Sequence, residues 1–154
     1  MKERKLRPNW NEIFMNVAYE VARMSTCRKI HVGAVIVKDK RVISIGYNGV
    51  PSGWQHCDEV FTGNEEDFLK KHHEWSNYHE IHAEMNAIAF AAKNGISTQG
   101  AELYCTHSPC VNCSKIIVQS GIERVYYAEL YDGHAIDFLR EAGVEVIHFN
   151  PKDF

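Results

Sequence analysis

Two short segments constrain this chain more than any other feature: His82-Ala83-Glu84, and Pro109-Cys110-Val111-Asn112-Cys113. Both open predicted helices, so any fold that unites them must bring two helix starts to one point. Cys110 and Cys113 are three residues apart and share a helix face, and a helix N-terminus lowers thiolate pKa, which favours metal binding. Proline suits the position before such a helix. Residues two apart in a regular helix point in nearly opposite directions, so His82 and Glu84 reach one ion only if His82 lies at or before the first turn.

Two thiolates and one imidazole are three ligands. Structural zinc sites close all four tetrahedral positions with protein, whereas catalytic sites keep one for water, so this set implies an open, catalytic site. Zinc lowers the pKa of bound water to about 7, and an adjacent carboxylate can carry the protons. Glu84 is that carboxylate. The alternative is a zinc-stabilised interaction module, in which every metal has four protein ligands and Glu84 is dispensable.

The cysteine and histidine inventory points the same way. Five cysteines, an odd number, argue against a disulfide framework and for thiolate ligands or core thiols. Five of the nine histidines (His56, His72, His73, His79, His82) fall within 27 positions. Net charge −3 and a pI near 6.3 lack the basic excess of a nucleic-acid-binding surface. The longest apolar runs, Val32 to Val37 and Ala87 to Ala92, fall far short of the roughly 18 residues of a membrane span. The basic stretch Met1 to Arg7 leads into an amphipathic helix and not into an apolar signal, so a cytoplasmic protein is expected.

Periodicity supplies the rest. At 154 residues the chain is expected to form one domain, 1–154. Asn9 caps a helix with Ile13, Phe14, Val17, Val21 and Met24 at helical spacing. Strands Val32 to Val37 and Val42 to Tyr47 flank the polar turn Lys38 to Arg41 as an antiparallel hairpin. From Asn48 to Asn77 the pattern dissolves, which reads as an insertion at about 50–80. A helix around Met85 to Ala92, strand Leu103 to Thr106, helix Cys110 to Ser120, strand Val125 to Ala128, a helix with Ile136 and Leu139, and strand Val144 to Ile147 follow. The alternation implies a three-layer α/β/α sandwich on a five-stranded mixed sheet, its later strands parallel.

With the His-Ala-Glu and Pro-Cys-x-x-Cys segments, the chain resembles the cytidine deaminase superfamily over nearly its whole length. Within it, Gly46-Tyr47-Asn48-Gly49-Val50-Pro51, the long insertion, Ile81 to Ala87 and Thr106 to Cys110 resemble the deoxycytidylate deaminases. The tRNA adenosine deaminases share the zinc segments but reach the His-Ala-Glu soon after the second strand, so the insertion argues against them. Deaminases of guanine, riboflavin precursors or dCTP share the zinc chemistry as well.

The resemblance implies conversion of dCMP and water to dUMP and ammonia for thymidylate synthesis, with Glu84 protonating N3 and then the departing amine. It implies ring contacts near Ala83 and Ser108, Asn48 on the sugar and Tyr131 flanking the base. Arg28 and Lys29 are both candidates for the phosphate, and His107 is a further substrate contact or a structural residue. It also implies a second, structural zinc on Cys27, Cys57, His72 and Glu80, with His73 or His79 as alternative ligands. Finally, it implies a homohexamer activated by dCTP and inhibited by dTTP, each with magnesium, through Gly46, Tyr47, Asn48 and Gly49. An ordinary strand-exit turn with Asn48 and Gly49 at positive φ would also explain those glycines. Cys105 is expected to be packing.

Overall fold

The computed structural model describes residues 7–64 and 66–153, so most of the basic N-terminal stretch lies outside the described residues. Helix α1 (Trp10–Ala22) starts as its sequence requires: Asn9 is extended, and its Oδ1 accepts a hydrogen bond from Glu12 N at 2.8 Å. Strands β1 (Gly33–Lys38) and β2 (Arg41–Tyr47) form the expected hairpin. Its turn is tighter than the four polar residues suggested, with Asp39 and Lys40 alone at φ 50° and 57°, the left-handed pair that matches strand twist.

The insertion is more ordered than its sequence suggests. It contains a short helix α2 (Cys57–Val60) and a twelve-residue helix α3 (Phe68–His79). Phe68, His72, Trp75 and His79 recur at i, i+4, i+7 and i+11. Phe61 meets Phe68 and Trp75 edge-on at 5.4 and 5.6 Å, around buried Cys27 and Cys57. Half of that stripe is histidine, so an aliphatic-periodicity search does not register it.

After α3 come α4 (Ala83–Lys93), β3 (Glu102–His107), α5 (Val111–Gln119), β4 (Arg124–Glu129), α6 (Gly133–Glu141), β5 (Glu145–His148) and a terminal 3-10 turn. The sheet order is β2-β1-β3-β4-β5. β1 runs antiparallel to β2 and β3, and β3, β4 and β5 are parallel. The two crossovers step in one direction across the sheet, which puts α5 and α6 on one face. There, with α4, they bury Ile36, Leu103, Val125 and Val146. The alternate residues Val35, Val37, Tyr104 and Tyr126 face α1, as the two-residue period of a strand requires. Three layers result, as expected.

Two glycines let the layers close. A Cβ on Gly33 would collide with Ala18 O and lie 2.8 Å from Ala22 N of α1. One on Gly46 would collide with Ala83 O and lie 2.5 Å from Ala87 N of α4. Among the described residues, no helix is long and apolar enough to cross a membrane.

Candidate active site and metal centres

His82 sits where the spacing requires. It is the N-cap of α4, extended at φ −67° and ψ 153°, so its ring turns back while Glu84 occupies the first turn. Cys110 is likewise the N-cap of α5, one position before the helix proper, and Cys113 lies within the first turn. His82 Nδ1 is 3.5 Å from Cys110 Sγ and 3.3 Å from Cys113 Sγ. A tetrahedral zinc with bonds of about 2.0 Å to nitrogen and 2.3 Å to sulfur spaces such atoms about 3.5 Å apart, so the donor set fits the ion.

The sulfurs are electrostatically prepared. Cys110 is pulled down to about 4, first by the Cys113 thiol donating to it, and further by His82 and by the Cys113 N–H at 3.4 Å. Cys113, as that donor and in a buried position, is held up. The bond to Cys110 raises His82. A metal bound by the two sulfurs would displace the remaining thiol proton.

Glu84 is 4% exposed, and its burial raises its pKa, with His82 opposing. Cys105, fully buried on β3, packs into the core as expected, and its burial, with the neighbouring Glu84 adding, pushes its thiol pKa up.

His82, Glu84 and Cys110 line a cavity together with Lys29, Ile30, Val32, Asn48, His73, Ser76, Asn77, His107, Ser108 and Tyr131. Asn48 Oδ1 accepts from Val32 N at 2.9 Å and its Nδ2 donates to Ile30 O at 3.0 Å, which fixes the cavity wall. Ser108 Oγ accepts from Tyr131 N at 2.6 Å and Asp132 N at 3.1 Å, so its hydroxyl holds the loop that carries Tyr131. His107 is wedged between Thr106 Oγ1 at 2.9 Å and Glu129 at 2.8 Å. Burial lowers its pKa against the pull of that carboxylate. The structure separates the two phosphate candidates. Lys29 lines the cavity, whereas Arg28 does not: its guanidinium donates to Phe61 O at 2.8 Å and lies 4.6 Å from the centre of the Phe68 ring.

Cys27, Cys57, His72 and Glu80 converge in a second cluster, their donor atoms all within 4.8 Å of one another. Cys27 Sγ is 3.4 Å from His72 Nε2, and Glu80 Oε1 is 3.2 Å from the same nitrogen. Glu80 Oε2 is buried with no partner, burial holds Cys57 at about 11, and burial lowers His72. Four convergent donors with an orphaned oxygen fit a closed, structural metal site. The alternative ligands lie elsewhere: His73 pairs with Asn77, and His79 stacks on Trp75.

The Gly46–Gly49 loop is not the turn that its glycines suggested. Neither Asn48 nor Gly49 has positive φ. Gly49 bridges Ile81 through N–H···O bonds of 3.1 and 2.8 Å, and Tyr47 O accepts from Asn86 Nδ2 at 2.8 Å. The loop thus ties β2 to the entrance of α4.

Residues 8–129 match the cytidine and deoxycytidylate deaminase zinc-binding region. The chain is 41% identical to the deoxycytidylate deaminase of Enterobacteria phage T2, over 87% of this chain and 89% of that one. It is 44% identical to ComE operon protein 2 of Bacillus subtilis, over 91% and 71%. Among solved structures, the dCMP deaminase of cyanophage S-TIM5 in complex with dCMP and dUMP superimposes with a TM-score of 0.77 at 38% identity, over 94% and 99%. With two ligand-bearing helix starts meeting beside a buried glutamate on that shared sheet, the chain belongs to the cytidine and deoxycytidylate deaminase family.

Proposed function

We propose that this protein hydrolyses dCMP to dUMP and ammonia, with His82, Cys110 and Cys113 holding a catalytic zinc. The observation that carries the reading is a three-donor site of tetrahedral spacing with the buried carboxyl of Glu84 at the floor of a cavity. Zinc bound there supplies Lewis acidity and lowers the pKa of coordinated water to about 7. Glu84 takes one proton from the attacking water and places it on N3 of the ring. It passes the second to the 4-amino group, which leaves as ammonia when the C4–N bond breaks. A carboxyl raised by burial suits a group that must both accept and release protons near neutrality.

Ala83 and Ser108 border the ring through their backbones, Asn48 the sugar, Tyr131 the outer face of the base and Lys29 the phosphate. Cys27, Cys57, His72 and Glu80 hold a structural zinc that fastens the insertion to the end of α1. In the same reading the enzyme is a cytoplasmic homohexamer. The Gly46–Gly49 loop answers dCTP as activator and dTTP as inhibitor, each with magnesium, and dUMP feeds thymidylate synthesis. These regulatory features rest on the family resemblance.

The test presents dCMP, dCTP and cytidine to the purified protein, with and without dCTP or dTTP as effector, and follows loss of cytosine absorbance. Turnover of dCMP far above the other two is expected. Equal turnover of all three, or none, overturns the substrate assignment.

A further inference from the structure

Strands β3 and β4 are parallel neighbours, and His107 and Glu129, the last residue of each, are paired across them. Ligands of such sheets bind beyond the carboxyl ends of the strands, and His107 lines the cavity there. From this pair the chain runs one way through Ser108 to Cys110 and the other way to Tyr131. Glu129 O accepts from Ser108 N at 2.8 Å, and Ser108 Oγ accepts from Tyr131 N, so the two branches are tied together. His107 Nε2, 2.8 Å from Glu129 Oε2, adds a side-chain strut between them.

The bonding pattern fixes the proton on His107. The Gly33 N–H can only donate, and it does so to Thr106 Oγ1 at 3.1 Å. Thr106 is fully buried, and among the described residues the acceptor in reach of its hydroxyl hydrogen is His107 Nδ1 at 2.9 Å. Nδ1 is therefore unprotonated, and the Nε2–H donates to Glu129. An imidazolium would put a second hydrogen between Nδ1 and Oγ1 and leave the buried hydroxyl without an acceptor, a cost that keeps the ring neutral. Burial of the ring acts in the same direction. With both nitrogens engaged, His107 has none to offer the cavity and presents a fixed ring wall.

We propose that His107 and Glu129 form a positioning pair for the reaction: Glu129, acting through a neutral His107 locked as the Nε2–H tautomer, sets the wall that aligns the substrate ring with Glu84. The pair carries no proton of the reaction itself. A histidine beside a carboxylate in an active site suggests a relay, in which the carboxylate charge stabilises an imidazolium. Here the Thr106 hydroxyl opposes that state. What Glu129 supplies is an acceptor in the right place, and an uncharged acceptor serves as well. This inference rests on the deaminase reading.

The test compares zinc-loaded full-length protein with Glu129→Gln, which keeps an acceptor, and Glu129→Leu, which does not. The Glu129 side chain is 45% exposed, so both variants are expected to fold. Zinc content, melting temperature, and kcat and KM for dCMP are measured on each. Glu129→Gln should keep kcat within about twofold. Glu129→Leu should lose about tenfold in kcat at unchanged zinc, less than the roughly hundredfold that a displacement of about 1 Å can cost, with KM changed less than about threefold. A relay would lose activity in both variants alike, and a purely structural pair would lower the melting temperature and leave kcat alone; either result overturns the proposal. Imidazole nitrogen NMR near neutral pH, with the His107 signals identified by their loss in His107→Asn, reads the ring directly. The unaltered and Glu129→Gln proteins should show a neutral Nε2–H that exchanges slowly with water, and Glu129→Leu a faster one. An imidazolium, an Nδ1–H tautomer, or equal exchange in all three proteins overturns the pair. Should the unaltered protein fail to deaminate dCMP, the deaminase reading fails by itself, and the exchange pattern decides whether Glu129 holds His107.

Discussion

Replacing Gly46 with alanine should damage stability and activity together, because one glycine sets the distance between β2 and α4. An alanine Cβ there would lie 2.5 Å from Ala87 N and 3.1 Å from Ala87 Cα, and would collide with Ala83 O. Ordinary van der Waals contact begins at 3.4 Å, so the shortfall against Ala87 N is 3.4 − 2.5 = 0.9 Å. The obstacles are backbone atoms, which cannot rotate away, so α4 must rise by about 1 Å. Overpacking of this kind costs about 1–3 kcal/mol, and the upper end is expected here. Helix α4 also carries His82 at its cap and Glu84 in its first turn. A displacement of about 1 Å at reacting groups can cost about a hundredfold in rate. Urea unfolding followed by far-UV circular dichroism should show a lower midpoint at unchanged slope, and kcat/KM for dCMP should fall at least about tenfold. Gly133→Ala is the control, since nothing lies within 4 Å of its Cβ, and it should stay within about 0.5 kcal/mol. A Gly46→Ala protein with unaltered midpoint and rate would refute the close-approach reasoning.

Four further outcomes follow from the site. Cys57→Ala should leave one zinc per chain by mass spectrometry and lower the melting temperature, because it opens a buried four-donor cluster. Cys110→Ala should abolish turnover, with a smaller effect on melting. In metal-free protein, Glu84→Gln should be stabilising. The folded Glu84 pKa is raised above its ordinary 4.5, so ionisation disfavours the native state once pH rises through the unfolded value. Melting curves of the two metal-free proteins should coincide below about pH 4 and separate above it, the variant melting higher. Ser108→Ala strands the N–H groups of Tyr131 and Asp132. It should cost about 1–3 kcal/mol in chemical denaturation and raise KM for dCMP.

The sequence was informative wherever local rules govern. The Asn9 cap, the hairpin, the parallel β3-α5-β4-α6-β5 unit and the placement of His82 before its helix all follow from period, capping and ligand chemistry, and the structure has each of them. Helix α3 was not legible, since its inward face is built from histidine and aromatic rings that pack around Cys27 and Cys57 and against Phe61. Gly46 and Gly49 invited a turn explanation. Their role is long-range, one admitting the α4 backbone and the other bridging Ile81, and such contacts leave no trace in local spacing. The aromatic and histidine recurrence at 68, 72, 75 and 79 was the available signal for α3.

The central claim is that Glu84 moves protons beside a zinc held by His82, Cys110 and Cys113. Its most direct test is Glu84→Gln, with zinc per chain and ammonia release from dCMP measured on the same preparation. The account predicts unchanged zinc content and a turnover reduced by about 10²–10⁴. A zinc-loaded variant that releases ammonia at the unaltered rate would contradict it.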